Sequence, residues 1–198
     1  MSKYSVRKVF FILTLSISLF FTTTIYAKEQ INIKEKELYF QKAIEYVSLN
    51  DFDLALKQFE KSIKIDPNFA EGYLGIGFVY RKMGKFNLSI KYLKKSLDLD
   101  PSMIDSYDNL GIAYIQQKNY KEAISIYLKA IENNYLSDSI YYNLSCAYSL
   151  SKNKDLSLDS LDKALILNPK FKLKALKDKD LDYIKDTYFF KKITDVNY

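Results

Sequence analysis

The chain contains no histidine and no tryptophan, one cysteine, three prolines and five glycines in 198 residues. Each scarcity removes a class of explanation. Without histidine, imidazole-based acid–base catalysis and imidazole metal ligation are both unavailable. A serine or cysteine nucleophile would need another base, and no such constellation stands out. The single cysteine, Cys146, cannot close an intramolecular disulfide, so the fold must hold by packing alone. So few glycines and prolines leave little chain for long loops. The phrase "GIG" at 75–77 sits in a helical pattern rather than a phosphate-cradling turn. The carboxylates fall mostly at turns or on polar helix faces, with no pair gathered in one place. The reading is therefore a non-enzyme, with no catalytic residues, no cofactor and no metal.

What the chain does have is apolar and aromatic surface. It is 48% hydrophobic and 27% charged, as a folded domain requires, and its aromatic content comes from 18 Tyr and 13 Phe. The first 27 residues differ in kind. Lys3, Arg7 and Lys8 precede an apolar run from Val9 to Phe21, then a threonine-rich stretch ending at Ala27. This is the layout of a secretory signal peptide, cut after Ala27. The alternative is an uncleaved anchor over residues 9–25. The three leader cations belong to a total of 30 against 24 acids, so without them 27 face 24 and the net charge falls from +6 to +3. Such a balance does not favour nucleic acid as a partner. A cleaved chain would be exported, to a periplasm or beyond.

Beyond residue 35 one phrase returns every 34 residues. Aligning the segments that begin at Lys36, Ala70, Ile104 and Asp138 puts Tyr39, Tyr73, Tyr107 and Tyr141 in the fourth place. Tyr46, Tyr80, Tyr114 and Tyr148 share the eleventh. The eighth is always small, with Ala43, Gly77, Gly111 and Ser145, and so is the twentieth, with Ala55, Ser89, Ala123 and Ser157. The twenty-fourth is bulky: Phe59, Leu93, Tyr127 and Leu161. Places 4, 8 and 11 share one face of a first helix, and 20, 24 and 27 one face of a second. Small residues let two backbones approach, and the bulky one fills the space beside them. Pro67, Pro101 and Pro169 stand at the thirty-second place, where a helix must stop, but the third segment has Tyr135 instead.

This pattern resembles the tetratricopeptide repeat, and the resemblance covers residues 36 to about 171. It implies an all-α solenoid of four helical hairpins over 36–69, 70–103, 104–137 and 138–169. Residues 28–35 would form a tether, and 170–198 an amphipathic C-terminal cap of the kind found on bacterial arrays. Phe171, Ala175 and Leu176 are expected to cover the fourth hairpin, with Leu181, Ile184, Phe189 and Phe190 folding back. The family's role is non-catalytic scaffolding, with first helices lining a concave groove that holds a peptide or helix. Carried onto this chain, the groove would comprise Phe40, Leu74, Asp108 and Tyr142 at place 5, and Ile44, Phe78, Ile112 and Cys146 at place 9. Val47, Arg81 and Ile115 would add place 12. Family members that clamp a C-terminal carboxylate use Lys and Asn where this chain has Phe40 and Ile44, so that clamp is absent. Glu37, Glu71 and Asp105 edge the track with acid, which suits a partner with apolar anchors and basic flanks. An alternative partner is an anionic polymer or lipid, met by the lysine-rich outer face.

Overall fold

The computed structural model describes the backbone of residues 3–195, and side chains of residue 22 and of 24–195. The basic start and apolar run of the leader therefore lie outside the described side chains. The described chain is all-helical: α1 (Lys3–Ser48), α2 (Phe52–Ile65), α3 (Ala70–Lys82), α4 (Phe86–Leu99), α5 (Ile104–Gln116), α6 (Tyr120–Glu132), α7 (Asp138–Leu150) and α8 (Lys154–Leu167). Two short helices, α9 (Phe171–Lys177) and α10 (Tyr188–Thr194), follow, with one 3-10 turn between them at Lys179–Leu181. Residues 28–35, expected to be a tether, are helical and continue directly into the first repeat. Among the described residues no helix is long and apolar enough to cross a membrane.

Each hairpin closes on the small-against-large pairing. A Cβ on Gly77 would stand 2.6 Å from Leu93 Cγ, and one on Gly111 would run into the Tyr127 ring. In the fourth hairpin, the Ser145 hydroxyl donates to the Ser157 carbonyl at 2.7 Å, and the Ser157 hydroxyl returns a bond to the Ser145 carbonyl at 2.9 Å. Phe59, Leu93, Tyr127 and Leu161 are all essentially fully buried. Rings add to this within a hairpin, with Tyr80 against Tyr92 at 5.5 Å and Tyr107 against Tyr135 at 5.9 Å. Between the second and third hairpins, the Ser96 and Ser106 hydroxyls are 2.8 Å apart, and Leu93 shares one core cluster with Tyr107 and Tyr114.

Two kinds of turn alternate. Inside each hairpin, Asn50, Gly84, Lys118 and Lys152 adopt left-handed backbone with φ of 57° to 72°, again 34 residues apart. The N–H of the next residue reaches back to the helix, as from Asp51 to the Tyr46 carbonyl at 2.9 Å. That is the usual helix-ending motif. Between hairpins, Asp66, Asp100 and Asn168 are extended, as the following proline demands, and their side chains accept backbone N–H groups two residues on.

The third junction departs from this rule for a reason visible in the sequence. With Tyr135 in the proline place, Asn134 flips to φ 61° and α6 ends one residue early. The Tyr135 N–H then donates to the Ala130 carbonyl at 3.0 Å. The turn missing its proline thus borrows the motif used inside the hairpins.

The C-terminal segment does cap the stack. Ala175, Leu181, Ile184 and Phe190 are buried against Tyr142, Cys146, Leu161 and Leu165. Leu176 and Phe189, expected to join them, point outward and remain exposed, because Ala175 and Phe190 occupy the inward places of their helices.

Tyr135→Pro restores the repeat consensus, yet it should destabilise the protein. It deletes the bond to Ala130, the ring against Tyr107 and the left-handed residue before it. A loss of about 1–2 kcal/mol in denaturant unfolding is expected, whereas consensus reasoning expects a gain.

Candidate functional site

The first helices do line one face, and its openness changes along the stack. Between the first two repeats lies a pocket of about 330 Å³ lined by Phe40, Ile44, Val47, Leu74 and Phe78, with Phe59 and Gly75 at its floor. Glu71, Asp105 and Asn109 form its other side. Residue 75 lacks a side chain, and the Phe59 ring takes the space where its Cβ would stand, so ring and glycine together form the floor. Phe40 is held edge-on by Phe69 at 5.0 Å and tilted against Phe59 at 5.6 Å. Lys36 anchors this end, 2.9 Å from Asp66. Five of the residues expected in the groove therefore meet in one pocket, with two of the expected edge acids beside them.

The third repeat changes the chemistry from apolar to polar. Arg81 lies half-buried, its guanidinium 5.2 Å from the Phe78 ring centroid, and its Nε donates to Asn109 Oδ1 at 3.0 Å. Asp108 accepts from Asn143 Nδ2 at 2.6 Å. Ile112 is half-buried, and Ile115 packs onto the central core cluster. The Asn109 amide, absent from the sequence-based set, joins Arg81 to the Asp105 carbonyl. Its role depends on a neighbouring repeat, which a single position cannot signal.

In the fourth repeat the groove does not exist. Tyr142 and Cys146, expected to face a partner, are 1% and 3% exposed because the cap lies over them. The Tyr142 hydroxyl donates to Asp178 Oδ2 at 2.8 Å, and the Lys174 ammonium stands 3.9 Å above the Tyr142 ring. Burial first, then Asp178 and Asp180, push the Cys146 thiol well above its ordinary range, so it stays protonated and unreactive. Cys146, Asp178 and Asp180 offer donor atoms within 4.8 Å of one another. However, Asp178 already accepts the Tyr142 hydroxyl and the Asp180 N–H, at 2.8 and 3.0 Å. The cluster fastens the cap to the stack.

Burial raises the Asp108 carboxyl above the ordinary range, and Asp105 pushes the same way, against opposition from Asn143, Arg81 and Lys174. A raised folded-state pKa means that the folded chain binds this proton more tightly than the unfolded chain. The group therefore adds stability as pH falls through its folded pKa, with no further change below about 3.9, the unfolded value. Asp108→Asn should be more stable than wild type near neutral pH, and the difference should shrink toward pH 4. Denaturant titrations of both proteins across that range read this directly.

Family profiles described as tetratricopeptide repeat match residues 69–134 and 138–171, and one described as TPR repeat matches 44–84. No curated protein matches the chain. Solved structures do. A MamA structure is 25% identical with a TM-score of 0.64, covering 77% of this chain and 87% of its own. The pilF protein of Pseudomonas aeruginosa is 23% identical with a TM-score of 0.69, covering 77% and 69%. The first TPR of Spaghetti (RPAP3), solved with the HSP90 peptide SRMEEVD, is 18% identical with a TM-score of 0.55, covering 60% and 94%. Proteins of this fold are generally non-catalytic scaffolds that bind peptides or proteins. With three profiles spanning most of residues 44–171 and the hairpin stack to match, this chain belongs to the tetratricopeptide-repeat family.

Proposed function

We propose that the chain is an exported, non-catalytic adaptor that grips a peptide or helix of a partner protein in the pocket between its first two repeats. The observation that carries this reading is the pocket itself: five apolar side chains from two neighbouring first helices around a floor of Phe59 and Gly75, edged by Glu71 and Asp105. An exposed apolar concavity of this kind marks a contact site in a folded protein. The acids select for basic residues flanking the apolar anchors. The peptide in the RPAP3 structure, SRMEEVD, carries the opposite charge pattern. An acidic end of that sort would meet Phe40, Ile44 and two carboxylates here, so a different class of ligand is favoured. The proposed footprint ends where Arg81 of the second repeat meets Asn109 of the third, before the covered fourth.

A random-peptide display library probed with the full chain tests the groove. Selected peptides should carry paired apolar anchors beside Lys or Arg, and Ile44→Lys/Phe78→Lys should bind them about tenfold more weakly or worse while keeping its helical circular dichroism. Glu71→Lys/Asp105→Lys should turn the preference toward acidic flanks. Selection of the same peptides by all three proteins would remove the groove from consideration.

Export rests on the leader's composition. Sequencing the N-terminus of the protein recovered from its native cells should return Lys28. Retained Met1 or Ser2 would instead make the chain a membrane-anchored adaptor held by residues 9–25, with the same groove.

A further inference from the structure

The cap has an outer surface that stacking does not explain. On α10, Tyr188, Lys191 and Lys192 share one stripe at helical spacing and line an open cleft that ends at Asp195. Tyr188 is 82% exposed, and Phe189 beside it is also exposed. On the adjoining α9, Leu173 is 60% exposed and Leu176 is exposed too, with Lys177 next to it. The two helices are tied together by Lys172, whose ammonium donates to the Asp195 carbonyl at 2.7 Å. These outward apolar residues are not left over from poor packing, since Ala175, Phe190 and Thr194 on the opposite faces are fully buried.

Like most lysines among the described residues, those of this surface are not held in ion pairs. Lys163 and Lys185 pair with Asp159 and Asp182, and Lys174 is spent on the Tyr142 ring. Lys177, Lys191 and Lys192 have no carboxylate partner among the described residues. Large apolar and aromatic side chains interleaved with unpaired lysines suit the boundary between headgroups and acyl chains. Rings sit at headgroup depth there, and long lysine stems lie along apolar surface while their ammonium groups reach anionic lipid.

We infer that the outer face of α9 and α10 docks on an anionic membrane surface, with Tyr188, Phe189, Leu173 and Leu176 entering the interface and Lys177, Lys191 and Lys192 pairing with lipid headgroups. This surface lies at the opposite end of the repeat array from the apolar pocket. Its function does not depend on a groove ligand.

The absence of tryptophan makes the test clean. Tyr188→Trp in the full chain places the sole indole on the proposed contact, at a site exposed enough not to disturb folding. The leader would bring the chain to vesicles of any composition, so the readout is the indole and not co-sedimentation. On phosphatidylglycerol-containing vesicles its emission should shift to the blue and be quenched by brominated acyl chains. On phosphatidylcholine alone it should do neither, and high salt should reverse the shift. Adding Lys191→Glu/Lys192→Glu should weaken the response about tenfold or more, from roughly 1 kcal/mol per lysine near such a surface. Three outcomes would overturn the inference. The indole could stay water-exposed while the chain pellets with anionic vesicles. The shift could survive the double glutamate change. It could also appear without lipid and grow with protein concentration, which would make the face a contact between copies of this chain.

Discussion

Everything in this molecule depends on how closely two helices approach within a hairpin. The eighth place must be small because the twenty-fourth is large, and the two meet: Gly77 under Leu93, Gly111 under Tyr127. Where glycine gives way to Ser145, its hydroxyl and that of Ser157 bond to each other's facing backbone, and the approach is kept by hydrogen bonds. Close packing of this sort admits no slack, since interiors approach crystalline density. The approach therefore sets the tilt of every first helix, and so where the groove-lining places point. The pocket floor obeys the same constraint, because Gly75 yields space to the Phe59 ring that lines it.

A stack of hairpins also has ends, and the two ends are solved differently. The last hairpin would expose the apolar face that a fifth would have covered, so the tail folds across it with Leu181, Ile184 and Phe190 buried. Covering that end costs groove. Tyr142 and Cys146 hold the places that Leu74 and Phe78 hold in the second repeat, yet they lie beneath Phe171, Lys174 and Asp178. The open apolar face is thereby confined to the first part of the array. At the other end, α1 continues outward as helix, and Leu38, Ile44 and Leu49 stay exposed.

How much of this was legible beforehand follows from which signals repeat. The 34-residue period carried the hairpins and the small-large pairing, because the same chemistry is written four times, whereas Phe40, Ile44, Val47, Leu74 and Phe78 came from the places that the repeat family's resemblance assigns to a groove. The turns were legible in part. Asn50 and Gly84 are turn formers, but Lys118 and Lys152 adopt the same left-handed backbone with no signature of their own, held there by the helices on either side. At the third junction, a missing proline says what is lost and not what replaces it, and Asn134 supplied the answer by flipping. Whether the cap reaches into the groove was left open by the sequence. It depends on where a non-repeating tail settles, and nothing periodic constrains that. Leu176 and Phe189 went wrong for the same reason: in a helix of two turns, a slip of one place turns an apolar residue from the core to the solvent.

That last error bears on function. A short helix closing a stack needs only one apolar stripe, and α9 and α10 meet the need with Ala175, Phe190 and Thr194. Large side chains on the other stripe contribute nothing to closing the array and carry the general cost of exposed apolar surface. The membrane contact inferred for that stripe would account for them, and it is of opposite electrostatic character to the proposed groove contact. The pocket at one end is apolar with carboxylates at its edge, and the cap at the other is apolar with ammonium groups at its edge. Opposite edges keep the two contacts from competing for one ligand, since what the carboxylates attract the lysines repel. The array between them would then hold the proposed basic-flanked partner at one end and an acidic surface at the other, which is the work of an adaptor.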